Sequence, residues 1–186
     1  MKLSAIILAG GMSRRMGMNK ALLPYRGKPL IQFSIDLALK FTEHILISSG
    51  QEELKKYGFP LVADILGISA PLTGVHAGLK ASKSDWNLVL TCDMPNVTEE
   101  LIRYLARYAG SDSKLVLPGH YGYVEPLCGF YHRNLIPVIE KNFLNGRYRP
   151  LDLLETEQHH VLPVEGIFNE DSSFLFRNVN EKRDLL

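Results

Sequence analysis

The chain has 186 residues, 46% of them apolar and 22% charged, with a formal net charge of +1; this is the length of one domain with one core, burying roughly 70% of its unfolded surface. So small a charge leaves no global field to attract nucleic acid, and the apolar run before the first glycines is too short for a signal peptide or a membrane span, so a cytoplasmic chain is expected. Cys92 and Cys128 lack a Cys or His partner at ligand spacing and read as free thiols in a reducing compartment.

Ile6, Ile7 and Leu8 are unrelieved by polar residues, which suits a strand buried on both faces of a parallel sheet. The run then breaks into Gly10-Gly11-Met12-Ser13-Arg14-Arg15 and reaches Lys20. Gly10 and Gly11 permit positive φ and close approach of backbone N–H groups to an anion, while Arg14, Arg15 and Lys20 add charge, a combination suited to an oligophosphate. The P-loop pattern fails, because Lys20 lies between Asn19 and Ala21 where Gly-Lys-Ser/Thr is required. The dinucleotide fingerprint fails at the spacing of Gly10, Gly11 and Gly17, with no helix expected before Pro24. A plain strand-to-helix connection would explain the glycines but not three cations so close together.

Apolar strands then alternate with amphipathic helices, the pattern of a parallel α/β sheet without repeat or linker. Pro29 opens a helix to about Phe41, with Leu30, Phe33, Leu37 and Phe41 on one face. Residues 44–48 read as a strand, 51–57 as a short helix, and 60–63 as a short strand ending on Asp64. Pro71 begins another helix, 86–91 is a central strand, and Thr98-Glu99-Glu100 starts a helix with a favourable first turn. Strands are expected at 114–118 and 124–132, a helix over 134–144 despite Pro137, a short helix near 151–155, strands near Val161 and Phe174, and a turn at Asn180. In such a sheet ligands bind beyond the carboxyl ends of the strands. Asp93, closing the central strand with Met94-Pro95 turning the chain away, therefore reads as a Mg²⁺ ligand, since Mg²⁺ takes one or two carboxylates plus phosphate oxygens. Thr98 already caps the next helix, which removes the simplest structural reason for Asp93. The six histidines lack metal spacing, and Ser13 has no nearby base, so covalent catalysis is not indicated.

The string Leu8-Ala9-Gly10-Gly11, with Ser13-Arg14-Arg15, Lys20 and Gly27-Lys28-Pro29-Leu30, resembles the signature loop of the sugar-phosphate and cofactor nucleotidyltransferases, and within them most closely the molybdenum cofactor guanylyltransferases, MobA-like proteins. The resemblance runs nearly the whole chain. It implies a Rossmann-like three-layer α/β sandwich of the nucleotide-diphospho-sugar transferase type with a mostly parallel mixed sheet. One domain, 1–186, would hold the nucleotide in about 1–110 and the acceptor in about 111–186. It implies transfer of GMP from GTP to the terminal phosphate of molybdopterin with Mg²⁺, and it brings other molybdenum cofactor biosynthesis proteins into view as partners. A cytidylyl- or sugar-phosphate transferase, or a catalytically impaired nucleotide-binding relative of the same fold, is the alternative.

On this reading Leu8, Ala9, Gly10, Gly11 and Ser13 cradle the triphosphate, Arg14, Arg15 and Lys20 neutralise it, and Arg15, Lys20 and Asp93 form the catalytic set. The resemblance puts Asp64 on the nucleoside side, matches Pro71 and Gly74 to a helix start that approaches the nucleotide, and makes Asn180 a second metal ligand. Family members commonly carry asparagine where this chain has Gly50, which shifts guanine recognition to backbone groups and to Ser48 or Ser49. Glu125, Arg133, Lys141, Arg147 and Arg149 are the acceptor candidates, because a phosphorylated pterin needs cations and hydrogen-bonding groups.

Overall fold

In a computed structural model the chain is described over residues 2–10, 12–13, 18–64, 68, 70–110, 112–168 and 171–179, with backbone alone at 12, 13 and 18. One sheet contains β1 (Leu3–Leu8), β2 (Ile45–Ser48), β3 (Leu61–Val62), β4 (Trp86–Thr91), β5 (Leu115–His120), β6 (Tyr123–Val124), β7 (Cys128–His132) and β8 (His159–Pro163). Neighbours run β6–β5–β7–β4–β1–β2–β3, and β8 pairs with β5. β1 is parallel to β2 and β4, β2 to β3, and β5 to β8, whereas β7 is antiparallel to both β4 and β5. The helices are α1 (Leu30–Leu39), α2 (Pro71–Ala81), α3 (Glu99–Ala106), α4 (Ile136–Leu144) and the single turn α5 (Ser172–Leu175).

The layers follow from side-chain alternation along each strand. Ala5 and Ile7 of β1 enter one apolar cluster with Ile31 and Ile35 of α1 and Leu101 and Leu105 of α3. Ile6 and Leu8 point the other way, into a second cluster with Leu72, Val75 and Leu79 of α2 and Ile139 of α4. Burial on both faces is why β1 and β4 are mostly apolar, with Ser4 and Asn87 buried among the apolar residues. The result is the three-layer α/β sandwich with a mostly parallel mixed sheet that the resemblance implied. No helix among the described residues is long and apolar enough to cross a membrane.

Local signals set the helix starts. Pro71 occupies the first turn of α2, where a missing N–H costs nothing. Thr98 accepts a hydrogen bond from the Leu101 N–H at 3.3 Å, with Glu99 and Glu100 in the first turn of α3. Pro137 falls in the first turn of α4. The buried stripe of α1 is Leu30, Ile31, Ser34, Ile35, Leu37 and Ala38, with Phe33 and Phe41 at its margins.

Three expectations are corrected. Phe174 lies in α5, where Asp171 accepts from the Ser173 N–H at 3.0 Å and turns the chain into a helix instead of a strand. The strand expected over 124–132 is two pieces, because Glu125-Pro126-Leu127 leaves the ladder and Pro126 has no N–H to give it. The short helices near 51–57 and 151–155 are 3₁₀ turns, Glu52–Tyr57 and Pro150–Glu155.

Chain order fixes where a ligand can enter. From β1 the chain moves outward to β2 and β3, then crosses back to β4 on the other side of β1. The crevice beyond the carboxyl ends of β1 and β4 is therefore the topological switch point. Helix α2 leans onto it because two glycines one turn apart remove its side chains: a Cβ at Gly74 would meet Ser48 Oγ at 2.9 Å, and one at Gly78 would meet Ile6 Cγ2 at 2.5 Å.

Two predictions follow from this packing. Gly78→Val forces a branched side chain against fully buried Ile6, and overpacking of about 1–3 kcal/mol lowers Tm by roughly 2–10 °C; an unchanged Tm in a thermal melt contradicts the close approach. Cys92 and Cys128 are free and buried. Burial pushes the Cys92 thiol up to about 12, with the Asp93 charge adding to it, and burial likewise pushes Cys128 up. Iodoacetamide at about pH 8 should label neither thiol until the protein is denatured, since only the thiolate reacts. Because both thiols ionise more readily unfolded than folded, their contribution to stability is complete below about pH 9 and declines as the pH rises past it. The urea midpoint should therefore fall on going from about pH 8 to about pH 10; a flat profile together with labelling of the native protein contradicts the burial.

Candidate active site

The ends of three strands are tied together at the switch point. Cys92 N–H donates to Leu8 O at 3.2 Å, and Ala9 N–H donates to Ser48 O at 3.1 Å. In register Leu8 lies beside Thr91 on one side and Ser48 on the other. Above these ends opens a cleft of about 350 Å³ whose lining includes Gly10, Ser48, Asp64, Pro71, Gly74 and Asp93, a size within the range of ligand pockets. Sequence reasoning singled out each of those six, and the fold brings them to one wall-to-wall space.

Lys20 reaches the same place from the other side. It starts a 3₁₀ turn, Lys20–Leu22, that Asn19 caps by accepting from the Ala21 N–H at 3.0 Å. Buried Ala21 and Leu23 fix that turn against the core. Lys20 Nζ then lies 2.5 Å from Asp93 Oδ2, the two side chains 17% and 22% exposed. Thr91 Oγ1 donates to the other oxygen, Asp93 Oδ1, at 2.8 Å, and Thr91 O accepts from Ser34 Oγ at 3.0 Å. The carboxylate is thus held by a hydroxyl on one oxygen and presents the other to a cation, a half-dry position in which charge is weakly screened. Val179 N–H donates to Asp93 O at 2.8 Å, which ties the backbone at Val179 to the same residue.

The end of the cleft lined by Ser48, Thr73 and Gly74 is small and polar. Ser48 Oγ donates to Gly74 O at 3.1 Å, and Thr73 Oγ1 donates to Ala70 O at 2.7 Å and Ile68 O at 3.1 Å, which fixes the chain entering α2. Gly50 lines the cleft, and a Cβ there would meet nothing within 4 Å. Gly10 also lines it, but with an ordinary backbone: its φ is not among the positive ones. Its contribution is bare backbone at the cleft wall, the close approach that a missing Cβ allows.

Other candidates fall differently. Leu8 lines the cleft, whereas Ala9 is 1% exposed and belongs to the core beneath it. Ser13 is described by backbone alone, and Gly11, Arg14, Arg15 and Asn180 lie outside the described residues. Glu125 stands two residues before cleft-lining Leu127 and pairs with His120, Oε1 to Nε2 at 3.0 Å. Arg133 lies at the opposite end of β4 from Asp93. Its N–H donates to Asp85 O, and the preceding His132 pairs with Trp86 at the start of β4, roughly 20 Å of strand from Asp93. Arg147 pairs with Glu155, and Arg149 with Asp152 at 3.0 Å, so both guanidiniums carry partners in their own loop. Thr91, Thr73, Ile68 and Leu127 went unread in the sequence. Of these only Thr91 left a signal, a hydroxyl ending an apolar strand two residues before an acid.

Among the described residues no group of three or more His, Cys, Asp or Glu side chains could enclose a metal ion. A lone strand-end carboxylate nonetheless matches what Mg²⁺ asks of a protein when phosphate and water complete its shell.

Comparison with known proteins agrees with this fold. Residues 5–161 match the family described as the MobA-like NTP transferase domain. The chain is 36% identical over 146 residues to a probable molybdenum cofactor guanylyltransferase of Clostridium perfringens, covering 78% of this chain and 73% of the relative. It is 33% identical over 184 residues to the molybdenum cofactor guanylyltransferase of Syntrophotalea carbinolica, covering 97% and 88%. The crystal structure of molybdopterin-guanine dinucleotide biosynthesis protein A from Archaeoglobus fulgidus superposes with a TM-score of 0.79 at 27% identity, over 98% of this chain and 94% of that one.

Proposed function

This chain belongs to the MobA-like NTP transferase family, and we propose that it transfers GMP from GTP to the terminal phosphate of molybdopterin, releasing pyrophosphate and forming the guanine dinucleotide form of the cofactor. The observation that carries the reading is the meeting of Lys20 and Asp93 at the mouth of a cleft beyond the ends of β1 and β4. The names of its relatives supply the substrates. The free, buried thiols suit the cytoplasm.

The nucleoside enters between Asp64 and the Ser48–Gly50 segment, where a carboxylate suits the N–H edge of guanine. The triphosphate runs past Gly10 toward Lys20, with Gly11, Ser13, Arg14 and Arg15 completing the cradle. Lys20, already poised at Asp93 Oδ2, turns its ammonium onto the phosphates and neutralises the departing pyrophosphate. Asp93, oriented by Thr91, and Asn180 are the residues that would hold Mg²⁺, whose chemistry there is charge neutralisation at the α-phosphate. An oxygen of the molybdopterin phosphate forms a bond to the α-phosphorus. The bond from that phosphorus to the bridging oxygen breaks, and pyrophosphate leaves with the electron pair. No general base is required, because the attacking phosphate is already largely ionised at neutral pH. Residues of about 1–110 serve the nucleotide and those of about 111–186 the acceptor, with Glu125 beside the cleft.

The direct test incubates the protein with GTP, Mg²⁺ and molybdopterin and measures pyrophosphate. Release that depends on all three supports the reading, and GTP binding without release contradicts it. Protection against heat by GTP but not by CTP or UTP fits the assigned base. Lys20→Ala and Asp93→Ala should each lower turnover by at least about a hundredfold, the scale of losing one preorganised charge. Thr91→Val should weaken Mn²⁺ binding in the presence of GTP by about tenfold while Thr91→Ser restores it, the scale of an orienting partner to a metal ligand; equal affinity in both variants contradicts the positioning role of Thr91.

A further inference from the structure

Beyond the cleft, the most exposed aromatic side chains of the described residues sit on one turn. Tyr121 and Tyr123, flanking Gly122 between β5 and β6, are 61% and 72% exposed. Two adjacent water-facing tyrosine rings offer apolar faces with a polar tip, a combination enriched at surfaces that bind. The turn is also strained: Tyr121 has φ of +49°, a conformation bulky residues rarely adopt and one that clusters at ligand sites.

Register places this turn beside the chemistry. Leu88, Phe130 and Val116 form one row across β4, β7 and β5. Four residues further along, that row reaches Cys92 on β4 and His120 on β5, which run in the same direction because β7 is antiparallel to both. His120 therefore stands level with the residue before Asp93 and two strand spacings away, about 10 Å.

The residues beneath the turn are organised. The His120 ring packs on Phe176 with centroids 4.7 Å apart, and its Nε2 lies 3.0 Å from Glu125. Its Nδ1 is buried and finds no hydrogen-bond partner among the described residues, and buried polar atoms left in that state call for an explanation. Tyr121 OH donates to Asp171 at 3.3 Å, which braces the turn against α5. Leu127 carries the same segment into the nucleotide cleft.

We propose that the Tyr121–Tyr123 turn and Glu125 form the acceptor's ring platform, on which a pterin stacks with its amino-pyrimidine edge donating to Glu125. This rests on the guanylyl-transfer reading above and adds to it the residues that select a planar heteroaromatic acceptor. Tyrosine faces hold a planar ring by stacking, and a carboxylate accepts from paired N–H donors. The two strand spacings of about 10 Å between His120 and Cys92 set the scale that the acceptor's phosphate arm would span toward Lys20 and Asp93. His120, through its bond to Glu125, is a positioning residue.

The test compares the wild-type protein with Tyr123→Ala, Tyr123→Phe and the double variant Tyr121→Ala/Tyr123→Ala. Its readouts are KM for molybdopterin, KM for GTP, and fluorescence titration with pterin-6-carboxylate in the absence of nucleotide. Stacking predicts that Tyr123→Ala raises the acceptor KM and the pterin Kd about tenfold, leaves the GTP KM within about twofold, and is rescued by Tyr123→Phe. An acceptor KM and a pterin Kd unchanged in the double variant, with the wild type fully active, overturn the platform and leave the guanylyl-transfer reading standing. A wild type that transfers nothing to molybdopterin overturns both.

Discussion

The candidate site is organised around one contact, the ammonium of Lys20 against the carboxylate of Asp93. A charge left without partners in a half-dry cleft is penalised. Pairing satisfies both while leaving them at the mouth of the cleft, where an incoming polyphosphate can exchange with either partner. The arrangement stores charge of both signs at one point before any ligand arrives. That is what electrostatic preorganisation requires, since groups fixed in advance need not reorganise during the reaction.

The contact is a consequence of topology. A parallel sheet points all its carboxyl ends one way, and the return of the chain from β3 to β4 opens a crevice beside β1. Backbone bonds from Cys92 to Leu8 and from Ala9 to Ser48 lock the three strand ends, so the residues just beyond them are placed to within the tolerance of a sheet ladder. Glycines at 74 and 78 then let α2 descend far enough to wall the cleft. Thr91 chooses which oxygen of Asp93 faces outward, and the cap on the Lys20 turn fixes where the ammonium starts.

What could be read from the chain was whatever depends on local order. Strand ends show where apolar runs stop, so Gly10, Ser48, Asp64 and Asp93 were legible, and the helix starts at Pro71 and Thr98 announced themselves by their residue types. Strand direction is not local. Arg133 is an acceptor candidate as one of the cations downstream of Glu125-Pro126-Leu127, and β7, running backwards through the sheet, delivers it to the far end. The partners of Arg147 and Arg149 were visible as Asp152 and Glu155 a few residues on, a signal of mutual neutralisation that charge counting passes over. Phe174 was misread because four residues cannot reveal their period, and only the Asp171 cap distinguishes a turn of helix there. The exposed tyrosines of the β5–β6 turn carry no motif, and their place at the site edge comes from register alone.

The most direct measurement of the central claim is a crystal structure of the protein with GTP and Mg²⁺. The account predicts the triphosphate in the cleft beyond β1 and β4, Lys20 Nζ moved from Asp93 onto a phosphate oxygen, and Asp93 Oδ2 facing a cation in its place. A triphosphate bound elsewhere, with the Lys20–Asp93 contact intact, would contradict it.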